Sequence, residues 1–237
     1  MAFQTVFKRY ELKYLLTERQ KEKVLLAMEP YMALDQYGRT SIRNIYFDTS
    51  NYRLVRRSIE GPTYKEKLRI RSYGRAEPKS TVFVELKKKY RSIVYKRRLT
   101  LPYDRALDCL TGACPWPETQ IGGEIRYTVD FYPDLESRVF LAYERDSWLA
   151  PESGLRITFD DAIRFRTEEL TLDSDPWGTA LLGPDQVLME LKAPGAIPLW
   201  MVRLLTEMRL YKTSFSKYGT AYQLLLEREW KGGKRYA

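Results

Sequence analysis

The chain has 237 residues, 44% hydrophobic and 30% charged, enough apolar content for a sizeable core and too little bias for a disordered segment. Forty Lys and Arg against 31 Asp and Glu give a net charge of +9, a field that favours polyanions such as nucleic acid, anionic lipid or phosphate-rich small molecules. Histidine is absent, which excludes Ser–His and Cys–His catalytic pairs and His-ligated metal, and two cysteines, Cys109 and Cys114, are too few for a disulfide framework or a structural zinc.

Period-two alternation dominates the chain. TVFKRYELKYL (5–15) reads as a strand, and TERQKEKVLLAME (17–29) follows as a helix opened by a Thr17/Gln20 capping box. SIRNIYFD (41–48) is the second strand; its Tyr46 and Asp48 could reach the lumen of a closed sheet, and Asp48 suits a turn cap equally well. SNYRLVRRSIE (50–60) is a short helix. YKEKLRIRSY (64–73), TVFVELKKK (81–89) and SIVYKRRLTL (92–101) are three more strands, joined by YGRAEPKS and YR. Connections this short require antiparallel neighbours. DRALDCL (104–110) reads as a helix capped by Asp104, and GACPWPETQIGG (112–123) as a loop. RVFLAYERDSW (138–148), LRITFDD (155–161) and QVLMELK (186–192) complete eight strands. PLWMVRLLTEMRLY (198–211) opens with Pro at a first helical turn, SKYGTAYQLLLEREW (216–230) with a Ser cap, and KGGKRYA (231–237) reads as a frayed tail. Strands interrupted by helices give an α+β class. There is no Gly/Ser linker, no apolar run of membrane-spanning length and no signal-peptide core, so the expectation is a single domain over 1–237, soluble and cytoplasmic.

Charges recur at a spacing of two, so that in each strand several share a face. Arg9, Glu11 and Lys13 share a face of the first, Lys65, Lys67, Arg69 and Arg71 of the third, and Glu85, Lys87 and Lys89 of the fourth. Lys96 and Arg98 share a face of the fifth, with Arg97 on the other. Tyr143 and Arg145 align in the sixth strand, Arg156, Thr158 and Asp160 in the seventh, Glu190 and Lys192 in the eighth. The opposite faces are apolar: Leu68 and Ile70; Val82, Val84 and Leu86; Leu155, Ile157 and Phe159; Met189 and Leu191. An open sheet would turn the charges to water. Eight antiparallel strands are also enough to close a barrel with an ionic interior. Cations crowded there repel one another by about 1 kcal/mol per pair at 4 Å even in bulk water, and a polyanion would relieve that. Glu11, Glu85, Asp160 and Glu190 would orient the cations or hold a divalent ion.

The ordered set FKRYELKYLL, IRNIYFDT, KLRIRSYG, VFVELKKK, VYKRRL, VLMELK and SFSKYGTAY covers nearly the whole chain. It resembles the triphosphate tunnel metalloenzymes, most closely the vacuolar transporter chaperone (VTC) domain, a polyphosphate polymerase. The resemblance implies an eight-stranded antiparallel β-barrel with flanking helices, binding ATP together with Mn²⁺ or Mg²⁺ and transferring the γ-phosphate to a growing polyphosphate chain. It assigns catalysis to Arg69, Arg71, Lys87, Arg145 and Arg156. Substrate binding falls to Lys13, Lys96, Tyr143, Ser216 and Lys217, and metal binding to Glu190. The wider superfamily opens with ExExK; here Arg9 takes the first acidic position, which weakens metal binding at that strand. The implied partners are ATP and polyphosphate, with no nucleic acid expected, and a separate membrane partner is needed if the product must cross a membrane. A triphosphatase of the same fold and a non-catalytic polyphosphate-binding module are the alternatives.

Overall fold

The structure, a computed structural model, describes residues 10–91 and 93–233. In chain order the elements are β1 (Tyr10–Thr17), α1 (Glu18–Met28), β2 (Ala33–Asp48), α2 (Arg53–Glu60), β3 (Tyr64–Tyr73), β4 (Thr81–Tyr90) and β5 (Ile93–Pro102). There follow α3 (Tyr103–Thr111), α4 (Gln120–Phe131), β6 (Glu136–Leu149), β7 (Arg156–Arg166), β8 (Thr179–Ala180), β9 (Gln186–Ala193), α5 (Leu199–Glu207) and α6 (Lys217–Gly233). The strands hydrogen-bond in the order β1-β9-β7-β6-β2-β3-β4-β5, with the two-residue β8 on β7. The ladders β1–β9, β9–β7, β2–β3, β3–β4 and β4–β5 are antiparallel. This is the antiparallel α+β architecture the alternation implies; its hydrogen-bonded order starts at β1 and ends at β5.

The described residues fall into two compact units. The first holds the chain up to Ser41, Tyr143–Ile163 and Ala180–Phe215; the second holds Ile42–Ala142, Arg164–Thr179 and the chain from Ser216 on. Each buries the apolar half of its strands under helices. In the first unit Tyr14 and Leu16 of β1, Ile157 and Phe159 of β7, and Val187, Met189 and Leu191 of β9 pack on Val24 and Met28 of α1 and Met201 and Leu205 of α5. In the second, Leu68 and Ile70 of β3 and Val82, Val84 and Leu86 of β4 pack on Ala106, Cys109 and Leu110 of α3 and Ile125 of α4. Each such side chain, fully removed from water, contributes roughly 1.5–3 kcal/mol. Most of the charged side chains of β1, β3, β4, β7 and β9 are thereby sent to the opposite face.

Local signals act largely as read. The Thr17 hydroxyl accepts from the Gln20 N–H while the Gln20 side chain accepts from the Thr17 N–H, closing the capping box of α1. Asp48 is a cap: its carboxylate, fully buried, accepts from the N–H groups of Thr49, Leu54 and Val55 and from the Tyr218 hydroxyl. Several details differ, among them that the stretch read as a loop to 123 enters helix α4 at Gln120 and that α6 continues to Gly233. Asp104 does not cap α3; Pro102 stands at the N-cap, and the Asp104 carboxylate accepts from the Arg105 N–H within the first turn. α5 stops at Glu207, just before Arg209 takes a left-handed φ of 52°. The second strand is 16 residues long, because 33–40 also pairs. Among the described residues no helix is long and apolar enough to cross a membrane.

Candidate functional site

In the second unit, register places Glu85 between two arginines. Arg69 of β3 and Arg98 of β5 are its direct cross-strand partners, and the next row on the same face is Lys67–Lys87–Lys96. Glu85 is only 2% exposed and accepts from Arg69 (Nε 2.8 Å, Nη2 2.7 Å) on one oxygen and from Arg98 (Nε 2.8 Å) on the other. The Lys96 Nζ stands 2.7 Å away and the Arg71 Nε 3.8 Å away. Burial alone would raise the Glu85 pKa; the charges of Arg69, Arg71 and Lys96 overcome it and hold the carboxyl well below the usual carboxylate range. One carboxylate therefore faces four cations, and Lys67 and Lys87 stand in the adjoining row of the same sheet face.

The cations are held in place from behind. Arg69 Nη1 donates to the Tyr46 hydroxyl (2.7 Å), and the Tyr46 ring stacks on Tyr218 of α6 at 4.5 Å. Arg71 Nε donates to Asn44 Oδ1 (2.9 Å), while Asn44 Nδ2 donates to the Leu141 carbonyl (3.0 Å). Lys67 donates to Ser216 Oγ (3.1 Å), which also accepts the Gly219 N–H (3.2 Å) at the start of α6. Lys217 follows, buried. Arg97 points the other way, to Glu124 of α4.

Although 45% of its side-chain surface is accessible, Lys96 has its ammonium against Glu85. Loss of water around that group, with Arg98 and Arg69 beside it, pulls its pKa down to about 8 in spite of the carboxylate. An anion bound by the protonated form loses a counter-charge as pH rises. Isothermal calorimetry with tripolyphosphate should therefore show affinity falling between pH 7 and 9 with a midpoint near 8. Lys96→Arg should flatten that step, since Arg keeps its proton throughout; an unchanged profile in the variant would assign the step elsewhere.

The first unit gathers a different set. Register aligns Lys13, Glu190 and Thr158 across β1, β9 and β7, and Glu11, Lys192 and Arg156 in the next row. The buried Glu190 has Lys192 Nζ at 3.0 Å, Lys13 Nζ at 3.6 Å and Arg145 Nη2 at 3.6 Å. Lys13 also lies 3.5 Å from Glu11 and donates to the Phe215 carbonyl at 3.1 Å. Arg145 makes two 2.6 Å bonds to the fully buried Asp160, and its guanidinium sits 5.2 Å from the Tyr143 ring. Burial works against its charge, but Tyr143, Asp160 and Glu190 push its pKa above the ordinary guanidinium value. The Thr158 hydroxyl is buried with no hydrogen-bond partner among the described residues. Here, among the described residues, acids and bases are interleaved: Glu11, Asp160 and Glu190 stand among Lys13, Arg145 and Lys192.

The residues named by resemblance thus fall in two sets. Arg69, Arg71 and Lys96 meet at Glu85, with Lys87 in the adjoining row and Ser216 and Lys217 heading α6. Lys13, Tyr143, Arg145 and Glu190 cluster in the first unit, whereas Arg156 is half-exposed and pairs with Asp35 (3.2 Å) and Ser147. Arg9 lies outside the described residues. Lys192 and Tyr218 were not singled out as site residues; Lys192 stands on the same strand face as Glu190 at a spacing of two, a signal present in the sequence.

Among the described residues no three carboxylate, thiol or imidazole groups converge on one point. Glu190 and Glu11 flank the same Lys13 ammonium. A hard divalent cation that keeps waters and takes one or two carboxylates plus phosphate oxygens fits such a donor set; an all-protein cage does not. The orphaned Thr158 hydroxyl beside Glu190 adds one more oxygen suited to such a shell.

Residues 8–226 match the family model described as the VTC domain. No curated protein matches the chain. Among solved structures, a protein described as a candidate adenylate cyclase from Bacillus halodurans is 15% identical, covers 90% of this chain and 96% of its own, and superposes with a TM-score of 0.56. A similarly described protein from Vibrio parahaemolyticus is 13% identical, with coverages of 92% and 99% and a TM-score of 0.52. An adenylyl cyclase candidate from Hippeastrum, reported to have a dominant triphosphatase activity, is 15% identical, with coverages of 88% and 92% and a TM-score of 0.50. These three share the fold.

Proposed function

The chain belongs to the VTC domain family, and on that premise we propose that it is a polyphosphate polymerase that moves the γ-phosphate of ATP onto a growing polyphosphate chain with the help of a divalent metal. The observation that carries the reading is the Glu85 hub, where Arg69, Arg71, Lys96 and Arg98 converge on one carboxylate and make a strongly cationic patch suited to an anion. In the reaction a terminal phosphate oxygen of the acceptor forms a bond to the γ-phosphorus, the bond from that phosphorus to the β,γ-bridging oxygen breaks, and ADP leaves. The attacking oxygen is already anionic near neutrality, so no protein base is needed, and a chain without histidine loses nothing.

Phosphoryl transfer asks for positioning and charge neutralisation. Arg69 and Arg71 take phosphate oxygens through their planar guanidinium edges, and Lys87 and Lys96 guide the chain as point charges. Ser216 and Lys217 offer the start of α6 to a phosphate. Lys13, Tyr143, Arg145 and Arg156 contribute to substrate binding and charge neutralisation. Glu190, with Glu11, would hold Mn²⁺ or Mg²⁺, which when bound supplies further neutralisation of phosphate oxygens. A second reading keeps the same residues and makes water the acceptor; the triphosphatase activity of the Hippeastrum protein favours it.

The test is a product assay with purified protein, ATP and Mn²⁺, resolving polyphosphate on a gel and measuring free phosphate in parallel. A ladder of polymer is the expected result. Free phosphate without a ladder would replace the polymerase by the triphosphatase, and ATP left intact would leave a binding module.

A further inference from the structure

Alternation along β7 sends Ile157 and Phe159 into the core of the first unit and Arg156, Thr158 and Asp160 to the charged face. Thr158 stands directly opposite Glu190, with Lys13 beyond it on β1. Its charged neighbours are all engaged: Lys13 with Glu11, Glu190 and the Phe215 carbonyl, Lys192 with Glu190, Arg145 with Asp160 and Glu190. The Thr158 hydroxyl, on a residue 1% exposed, bonds to none of the described groups. A buried hydroxyl without a partner costs free energy, and valine has the same shape, an equal liking for strands and no such cost. Folding alone therefore gives no reason for threonine here. A small polar ligand does, because the hydroxyl can both donate and accept.

We propose that the Thr158 hydroxyl hydrogen-bonds an oxygen, of water or of phosphate, carried by a divalent cation that Glu190 holds. The proposal rests on the metal-binding role of Glu190 given above and adds a positioning residue to it. The depth of Thr158 limits the occupant to something this small.

The experiment compares wild type, Thr158→Val and Thr158→Ser by calorimetry and thermal melting, with Mn²⁺ alone, tripolyphosphate alone and the two together. Without additives Thr158→Val should melt at or above the wild-type temperature, since an unpartnered hydroxyl has been replaced by a methyl group. Its Mn²⁺ affinity, or its affinity for the Mn²⁺–tripolyphosphate pair, should fall about five- to tenfold, the worth of one hydrogen bond. Thr158→Ser should stay within about twofold of wild type because it keeps the hydroxyl. A loss already present with Mn²⁺ alone identifies the oxygen as water; a loss only with both identifies it as phosphate. Equal binding by wild type and Thr158→Val in every arm would overturn the inference and leave the metal role standing. So would a Thr158→Val melting point several degrees low without additives, which would make the hydroxyl structural. A loss confined to tripolyphosphate without metal would remove the cation from it. Wild type that binds no Mn²⁺ in either arm would remove the metal role and the inference together.

Discussion

Glu85→Gln is expected to lower folding stability by about 3 kcal/mol or more, a fall of roughly 6–12 °C in melting temperature. The carboxylate is 2% exposed and is the shared counter-charge of Arg69, Arg71, Lys96 and Arg98. Glutamine keeps the shape and removes the charge, so four cations are left facing one another. Partial exposure of Arg98 and Lys96 lets water screen some of that repulsion, which puts the loss at the lower end of the range for breaking a buried pair. Neighbouring cations depress the folded-state pKa of Glu85, so its contribution is complete above the unfolded value of about 4.3 and is lost as pH falls through the folded one. The gap between wild type and variant should therefore hold at neutral pH and narrow only below about pH 4. Tripolyphosphate should raise the melting temperature of the variant more than that of wild type, because an anion bound only to the folded form restores the missing charge. Thermal melts across pH, with and without tripolyphosphate, check all three. Coincident melting of the two proteins would show that Glu85 does not hold the cluster.

Arg71→Ala is expected to do the reverse: turnover of ATP falls by about 10²–10³-fold while stability changes by no more than about 2 kcal/mol. Arg71 is buried and its Nε is fixed by Asn44, itself fixed by the Leu141 carbonyl, so the guanidinium is held in one orientation, as two-point phosphate recognition requires. Removing it leaves Glu85 with three other cations, so no charge is stranded. Arg71→Lys keeps the charge and loses the planar fork, and should recover only part of the rate. Steady-state kinetics on ATP beside a melting curve separate the two effects. Turnover within threefold of wild type in Arg71→Ala would take Arg71 out of the reaction.

The strands were legible because burial and charge divide along a period of two. YKEKLRIRSY is β3 from end to end, and Lys96 and Arg98 lie on one face with Arg97 on the other. Besides the two-residue β8, two stretches were not read. Residues 33–40 of β2 run ALDQYGRT, without alternation and with Gly38 at a φ of +56°, and most of that stretch is solvent-exposed, so no face had to be apolar. α4 hid behind Gly122 and Gly123, which read as loop. Gly122 is there because a Cβ would come within 2.2 Å of the Pro117 carbonyl oxygen at the start of the helix. The helical signal was present in Ile121, Ile125 and Val129, four apart and all in or against the core. At the site, residue types and faces were legible, and convergence was not. Which cations meet at Glu85 depends on the β3–β4–β5 register and on side-chain reach across rows, neither of which a single strand encodes.

The Glu85 hub also constrains how this sequence can drift. Losing the carboxylate by itself is damaging, yet in a background already lacking one of the four cations the same change strands less charge and does less harm. The order in which substitutions arrive therefore decides which are tolerated. These five positions form a unit of inheritance: a lineage that sheds the acid must first have shed, or must soon shed, part of the base around it.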